Sequence, residues 1–140
     1  MTATWAHAGP PEQVCDLFAV AYFAVDTTRD TSESDARARA AQRYGTPRLA
    51  AELDGGHGQS LDFPTWAVHH ATVTTTLRPY AGDPLPADQP TVVYRATVVT
   101  RQALGADGWR QPLPPAAVFC TLAPAHGGWL VDHVDLSLGG

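Results

Sequence analysis

The order of the predicted elements constrains this chain more than any other feature. Segments with helical spacing of apolar residues lie before residue 56, and segments with the alternation typical of strands lie after residue 63. A parallel α/β fold would need the two element types to alternate along the chain. The segregation therefore predicts an α+β domain in which helices cover one face of a mainly antiparallel sheet.

Size and charge exclude several classes of protein. The 140 residues suffice for one domain with its own core. The chain has nine basic residues, all arginine, and 14 acidic residues, which gives a net charge of -5. A general nucleic-acid binder would need a basic stripe to neutralise phosphates, so we expect no nucleic-acid partner. The longest apolar run, residues 14–25 with only Asp16 interrupting it, is shorter than the roughly 20 residues of a membrane span.

Three helices are predicted in the first part of the chain. The first covers about residues 12–26 and is apolar on several sides, so it should lie at the centre of the core. The second begins near Asp30 to Ser32, where Asp30 and Glu33 have capping-box spacing, and ends at Tyr44. The third has Thr46 at its N-cap and ends at Gly55-Gly56. The second and third helices are expected to close one end of the fold.

Four strands are predicted in the second part, over about residues 65–78, 91–103, 116–122 and 129–136. Gly105–Gly108 should form one turn, and Gly127-Gly128 a tight hairpin turn. Alternation in the second strand predicts that one set of side chains faces the core and another faces away. The predicted core set is Val92, Tyr94, Ala96 and Val98, and the opposite set is Arg95, Thr97, Val99 and Arg101.

Both cysteines lie in apolar segments, Cys15 on the first helix and Cys120 on the third strand. They could form a disulfide if the helix crosses the middle of the sheet and the protein lies in an oxidising compartment. The alternative is two buried thiols that act as small apolar residues. We expect two buried thiols and no disulfide.

The layout resembles the nuclear-transport-factor-2-like, or cystatin-like, cone fold. The similarity lies in the three helices, a long first strand opened by Trp66, the meander, and the closing Gly-Gly-Trp-Leu-Val hairpin. It covers residues 12–137, so residues 1–11 are interpreted as a flexible lead without a signal peptide. The resemblance implies that the helices pack on the concave face of a curved sheet.

Two features of the chain point to one branch of that superfamily. Thr46–Leu53 leads directly into a strand, and the chain closes with Trp129-Leu-Val. These features resemble the soluble domains of type IV secretion scaffold proteins and their Gram-positive conjugation counterparts. The resemblance implies a non-catalytic domain that binds copies of itself and other secretion proteins outside the cell membrane. Such a protein would be held by an anchor helix outside this chain. If the chain is complete, a cytoplasmic location is expected instead.

A second branch contains enzymes similar to ketosteroid isomerases and polyketide cyclases, which hold a hydrophobic metabolite inside the cone. The closing Val131-Asp-His-Val-Asp135 is similar to the Glu-His-Trp-Asp element of many cyclase-like sequences. It would make His133 and Asp135 a proton-transfer pair, because residues two apart on a strand share a face. Tyr22 and Asp26, one turn apart on the first helix, would then be an oxyanion donor and a base.

Simpler interpretations are favoured for these four residues. His133 and Asp135 are expected on the solvent face of the last strand, Tyr22 is expected in the core, and Asp26 is expected to end the first helix. Metals and cofactors are not expected, because the six histidines are scattered and adjacent His69 and His70 on a strand would point to opposite faces. A scaffold should have a filled interior and an exposed apolar patch, whereas an enzyme should have a deep cavity with convergent polar groups. The sequence favours the scaffold.

Overall fold

The described residues, 6–54 and 60–138 of a computed structural model, form four helices and one antiparallel four-stranded sheet. The helices are α1 (Pro11–Phe23), α2 (Glu33–Tyr44), α3 (Pro47–Leu53) and α4 (Phe63–Val68). The strands are β1 (Thr72–Pro79), β2 (Val93–Leu104), β3 (Arg110–Ala125) and β4 (Gly128–Leu138), and they lie in the sheet in chain order. The prediction of an α+β fold with a four-stranded antiparallel sheet is confirmed. The fourth helix was not predicted.

Helix α1 is the central element of the core, and it contacts all four strands as well as α2. It ends at Phe23, three residues earlier than predicted. The cause is long-range pairing: the backbone of Asp26 forms a bridge with Thr72 at the start of β1, and the Val73 N–H donates to the Val25 carbonyl at 2.9 Å. Asp26 therefore does not lie on the helix, contrary to the prediction.

Helix α2 begins within the predicted range, but Asp30 and Glu33 do not form the predicted capping box. Its N-cap is Ser32, and the Asp35 carboxylate accepts from the backbone N–H and the hydroxyl of Thr31 at 2.7 and 2.9 Å. Asp30 is buried and accepts from both terminal nitrogens of Arg39, at 2.7 and 3.1 Å. Because Arg39 engages this carboxylate, Asp30 does not cap α2.

The predicted start of α3 is confirmed. The Thr46 hydroxyl oxygen accepts from the Leu49 N–H at 3.3 Å, and the hydroxyl donates to the Asp132 carboxylate of β4 at 2.8 Å. The last helical residue is Leu53, and the predicted stop at Gly55-Gly56 lies outside the described residues. This cap therefore joins the helix to the sheet.

The prediction of a strand from residue 65 is wrong at its start, because α4 occupies Phe63–Val68 and β1 begins at Thr72. Pro64 lies in the first turn of α4, a position that suits its fixed φ and missing N–H. Phe63 and Trp66 are buried in a second apolar cluster with Val25, Ala71, Val73 and Ala103. Trp66 therefore belongs to a helix that packs beside the sheet and does not open the first strand.

Strand β3 is much longer than predicted and contains four prolines. Its segment 110–115 pairs with β2 only, because β4 ends opposite Ala116. A proline there has no ladder hydrogen bond to lose on its open side. The register between β2 and β3 shifts at Val99/Arg101, so that Pro114 and Pro115 lie opposite the single residue Thr100. Prolines in the sequence concealed this extension of the strand.

The predicted assignment of faces in β2 is wrong. The buried residues of this strand are Val93, Thr97, Val99 and Ala103, which include two of the set expected to face away from the core. Arg95 and Arg101 share this helix-facing side: Arg95 pairs with Glu12 of α1 at 3.0 Å, and Arg101 lies over the Phe23 ring. Long arginine side chains can lie along an apolar surface and still reach its rim, so their presence did not identify the solvent face.

The space between α1 and the sheet is filled by fully buried side chains, among them Phe18, Val99, Val118, Leu122 and Val131. A disulfide between Cys15 of α1 and Cys120 of β3 crosses this interface. The expectation of two free thiols is therefore wrong. Pairing required that α1 cross the middle of the sheet, which only the tertiary fold decides.

The two ends of β4 differ in how their outer edge is covered. Trp129 forms a bridge with Gly9, and Val131 forms one with Gly45. Within the described residues, no backbone segment pairs with that edge beyond Val131. Of the predicted lead 1–11, residues 1–5 lie outside the described part of the chain, and Gly9 is held by the bridge to Trp129. The turn before β4 is formed by His126 and Gly127, at φ 51° and 80°, one residue earlier than predicted.

Candidate functional site

The interior is open at one end, where a cleft of about 270 Å³ lies between three helices and the sheet. Tyr22 and Phe23 come from the end of α1, Arg37 from α2, and Trp66 from α4. The sheet contributes a further set from all four strands: Val73, Arg101, Leu113, Leu136 and Leu138. The cleft is lined by apolar walls with a few polar groups, a composition typical of small-molecule sites.

Arg101 is the most unusual group in the cleft. Its Nε and Nη2 donate to the Pro114 carbonyl at 3.3 and 2.9 Å, and its guanidinium lies 4.6 Å from the centre of the Phe23 ring. Among the described residues, no carboxylate lies within 4.0 Å of it. Burial lowers the pKa of Arg101 from its ordinary value. An arginine side chain nevertheless stays protonated in proteins, so a partly buried positive charge faces the cleft.

Arg37 supplies a second positive charge. Its guanidinium lies 5.3 Å from the centre of the Tyr22 ring, and its Nη2 is 4.0 Å from the Glu33 carboxylate. That carboxylate also accepts from the backbone N–H of Ser60 at 2.8 Å. Arg37 therefore has one long ion pair and one cation–π contact, and neither is a short charge-assisted hydrogen bond.

The Tyr22 hydroxyl is a free donor in the cleft. Tyr22 is buried, yet its hydroxyl has no hydrogen-bond partner among the described residues. Burial raises the pKa of this hydroxyl, partly offset by the nearby Arg37. Tyr22 therefore stays protonated at neutral pH and can donate a hydrogen bond.

The remaining polar residues of the cleft already have partners. The Asp62 carboxylate accepts from the Gln111 amide at 3.4 Å, and the other end of Gln111 accepts from the Trp66 indole N–H at 2.7 Å. These bonds fix α4 against β3. The Glu33 and Asp62 carboxylates thus accept from Ser60 and Gln111, and they attract Arg101 only from beyond 4.0 Å.

The structure does not bring the four sequence-derived candidates together. Tyr22 lines the cleft, but the Asp26 carboxylate accepts from the N–H and the hydroxyl of Thr28 at 3.0 and 2.6 Å in the loop after α1. These bonds lower the pKa of Asp26. The carboxylate therefore stabilises a turn and does not line the cleft.

His133 and Asp135 lie on the opposite face of the sheet from Tyr22. Their neighbour Val134 is the register partner of Cys120, whose side chain reaches α1 through the disulfide, so the two flanking residues point away from the helices. The His133 Nε2 lies 3.3 Å from the Asp135 carboxylate, and the two side chains are 45% and 73% exposed. The pair exists, but it faces solvent and is separated from the cleft by the sheet.

A second histidine pair was not anticipated. His69 follows α4 and does not lie on a strand, contrary to the prediction for it and for His70. Its Nδ1 lies 2.8 Å from the Asp107 carboxylate, and its ring stacks on Trp109 at 4.3 Å. These contacts attach the β2–β3 hairpin to α4. Within the described residues, no three potential metal ligands cluster; His57 lies outside them.

The sequence did not identify Arg37 and Arg101 as cleft residues, because contacts between distant segments bring them there. Arg101 was assigned to the solvent face, and Arg37 belonged to a helix with alternating alanine and arginine. The available clue was parity: Arg101 is two residues from Val99 and from Ala103, both of which are buried. Alternation along the strand places Arg101 on the same face as these two residues.

Comparisons with protein-family models, with characterised proteins and with solved structures found no match to this chain. None of the helices formed by the described residues is long and apolar enough to cross a membrane.

Proposed function

We propose that this chain is a non-catalytic assembly domain of a conjugation or type IV secretion apparatus, with the cone-shaped cystatin-like fold that its layout resembles. It acts through contacts with copies of itself and with other proteins of the apparatus, on the extracytoplasmic side of the cell membrane. The observation that carries the proposal is the open, apolar end of β4. This end combines an unpaired strand edge with exposed leucines.

The open end has the properties of an association surface. Leu136 and Leu138 are 37% and 63% exposed, and the outer edge of β4 has no backbone partner beyond Val131 among the described residues. Unpaired edges with exposed apolar side chains are sites where another strand can add. Two copies could pair through β4 around a two-fold axis, because such an interface uses the same surface on both chains.

Two further observations support this function. The centre of the helix–sheet interface is filled, as expected for a scaffold. The Cys15–Cys120 disulfide favours an oxidising compartment, because cytoplasmic thiols are kept reduced. The enzyme alternative is less well supported, since His133 and Asp135 are separated from Tyr22 by the sheet.

Sedimentation velocity tests association directly. We expect the oxidised chain to form dimers or larger oligomers with increasing concentration, and Leu138→Arg to shift it to monomer. Leu61→Arg is the matched control, because Leu61 is 97% exposed and is not part of β4. A monomeric wild-type chain at all concentrations, or equal effects of the two substitutions, would contradict the proposed surface.

Thiol trapping in the native host tests the compartment. Cells are quenched in acid and treated with a maleimide polymer before or after reduction, and the protein is detected by immunoblot. An extracytoplasmic protein should be modified only after reduction, at both cysteines. Modification without reduction would place the protein in a reducing compartment and contradict the proposal.

A further inference from the structure

We propose that the cleft beside Arg101 binds a small amphipathic carboxylate, with the acid group between Arg101 and the Tyr22 hydroxyl and the apolar part against Trp66 and the leucines of the sheet. This site goes beyond the proposed assembly function, although it shares Leu136 and Leu138 with the proposed association surface. It uses none of the four candidates from the sequence except Tyr22, for which it assigns binding rather than catalysis.

The first argument is the unmet charge of Arg101. A partly buried cation is costly to desolvate unless an anion or several acceptors compensate it. Arg101 has one carbonyl acceptor and one aromatic ring, and no carboxylate lies within 4.0 Å of it among the described residues. The Glu33 and Asp62 carboxylates also line the cleft, but they attract Arg101 only over a longer distance. Its Nη1 has no acceptor there. A carboxylate would supply the missing charge and the missing acceptor together.

The second argument is convergence. Tyr22, Arg37 and Arg101 come from α1, α2 and β2, and all three line the same cleft. The Tyr22 hydroxyl has no partner in the described residues, and the nearest carboxylate to Arg37 is 4.0 Å away. Although Glu33 and Asp62 also line the cleft, their carboxylates already accept from Ser60 and Gln111. The three incompletely paired donors therefore favour an anion over a cation or a neutral molecule.

The third argument is the character of the walls. Most of the remaining lining is apolar: Phe23, Val25, Trp66, Val73, Leu113, Leu136 and Leu138. A volume of about 270 Å³ is at the small end of the range for ligand sites. These properties fit a short aliphatic or single-ring acid better than a nucleotide, whose phosphates would need several cations.

Isothermal titration of the oxidised full chain with octanoate tests the site. We expect one binding site, and we expect Arg101→Gln to weaken binding by about tenfold or more, because a charge-assisted hydrogen bond is lost. Arg110→Gln is the matched control, because Arg110 is exposed on β3 and does not line the cleft. The affinity of this variant for octanoate should stay within about twofold of wild type.

Two further measurements keep the test decisive. Tyr22→Phe removes only the hydroxyl and should weaken octanoate binding by about threefold to tenfold, and it decides the outcome if Arg101→Gln fails to fold. 1-Octanol should bind at least about tenfold more weakly than octanoate, since it carries no charge. No binding of octanoate to the wild-type chain, equal affinity of Arg101→Gln and wild type, or equal binding of the alcohol would each overturn the proposal.

Discussion

At the scale of single residues, the arginines of this chain differ in what compensates their charge. Arg39 is held by the buried Asp30 carboxylate, which also accepts from the Asp26 N–H at 2.9 Å. Arg101 has no carboxylate partner in the described residues. The pair of Asp30 and Arg39 stabilises the fold, because both oxygens of the buried carboxylate accept hydrogen bonds. The arrangement of Arg101 leaves a charge available to a ligand.

Replacing Asp30 with alanine should destabilise the protein. The change leaves the Arg39 guanidinium and the Asp26 N–H without their acceptor, and Arg39 is only partly exposed. We expect a loss of about 2–3 kcal/mol in the free energy of unfolding, measured by urea denaturation. Asp83→Ala, at an exposed loop position, is the control and should change it by less than about 0.5 kcal/mol. Equal effects of the two changes would show that the pair does not stabilise the fold.

At the scale of elements, α4 connects the loop after α3 to the sheet. Its Trp66 is 2% exposed and donates from the indole N–H to Gln111 of β3. At its other end, His69 stacks on Trp109 and pairs with Asp107 in the β2–β3 turn. A helix of six residues is too short to be stable alone, so these tertiary contacts must hold it.

Truncating Trp66 should therefore affect more than one element. We expect Trp66→Ala to lower the free energy of unfolding by about 3–5 kcal/mol, because it opens a cavity and leaves Gln111 without its donor. Amide hydrogen exchange should rise in both α4 and the start of β1. Val68→Ala is the control, since Val68 is 75% exposed on the same helix. Unchanged exchange in β1 would mean that α4 packs on the sheet without supporting it.

At the scale of the whole molecule, the disulfide joins the two halves of the chain. Cys15 and Cys120 are 105 residues apart in sequence, and their bond links the central helix to an inner strand. A cross-link that closes so long a loop restricts the unfolded chain strongly. The helical half and the sheet half are thereby held as one unit.

Reduction of the Cys15–Cys120 disulfide should destabilise the fold. We expect dithiothreitol to lower the free energy of unfolding by about 2–5 kcal/mol in urea denaturation, because the unfolded chain regains its freedom. The Cys15→Ala/Cys120→Ala double variant should be insensitive to the reductant. Identical denaturation midpoints for the oxidised and reduced wild-type chain would contradict the stabilising role of the bond.

The candidate site was only partly predictable. Tyr22 was correctly associated with the interior of the fold, but Arg37 and Arg101 were not recognised. Their positions depend on which segments meet: the bulge opposite Thr100 puts the Pro114 carbonyl within reach of Arg101, and α2 brings Arg37 over the Tyr22 ring. His133 and Asp135 share a face as the spacing indicated, but spacing alone could not decide which face.

The sequence by itself determined the features that depend on a few neighbouring residues. These are the segregation of helices and strands, the central apolar helix, the Thr46 cap and the approximate position of each hairpin. The tertiary structure decided the features that need distant residues to meet: the end of α1, the face of β2, the formation of α4, the disulfide and the cleft. Periodicity and capping act over one or two turns of backbone, whereas pairing, burial and charge compensation depend on contacts between segments far apart in the chain.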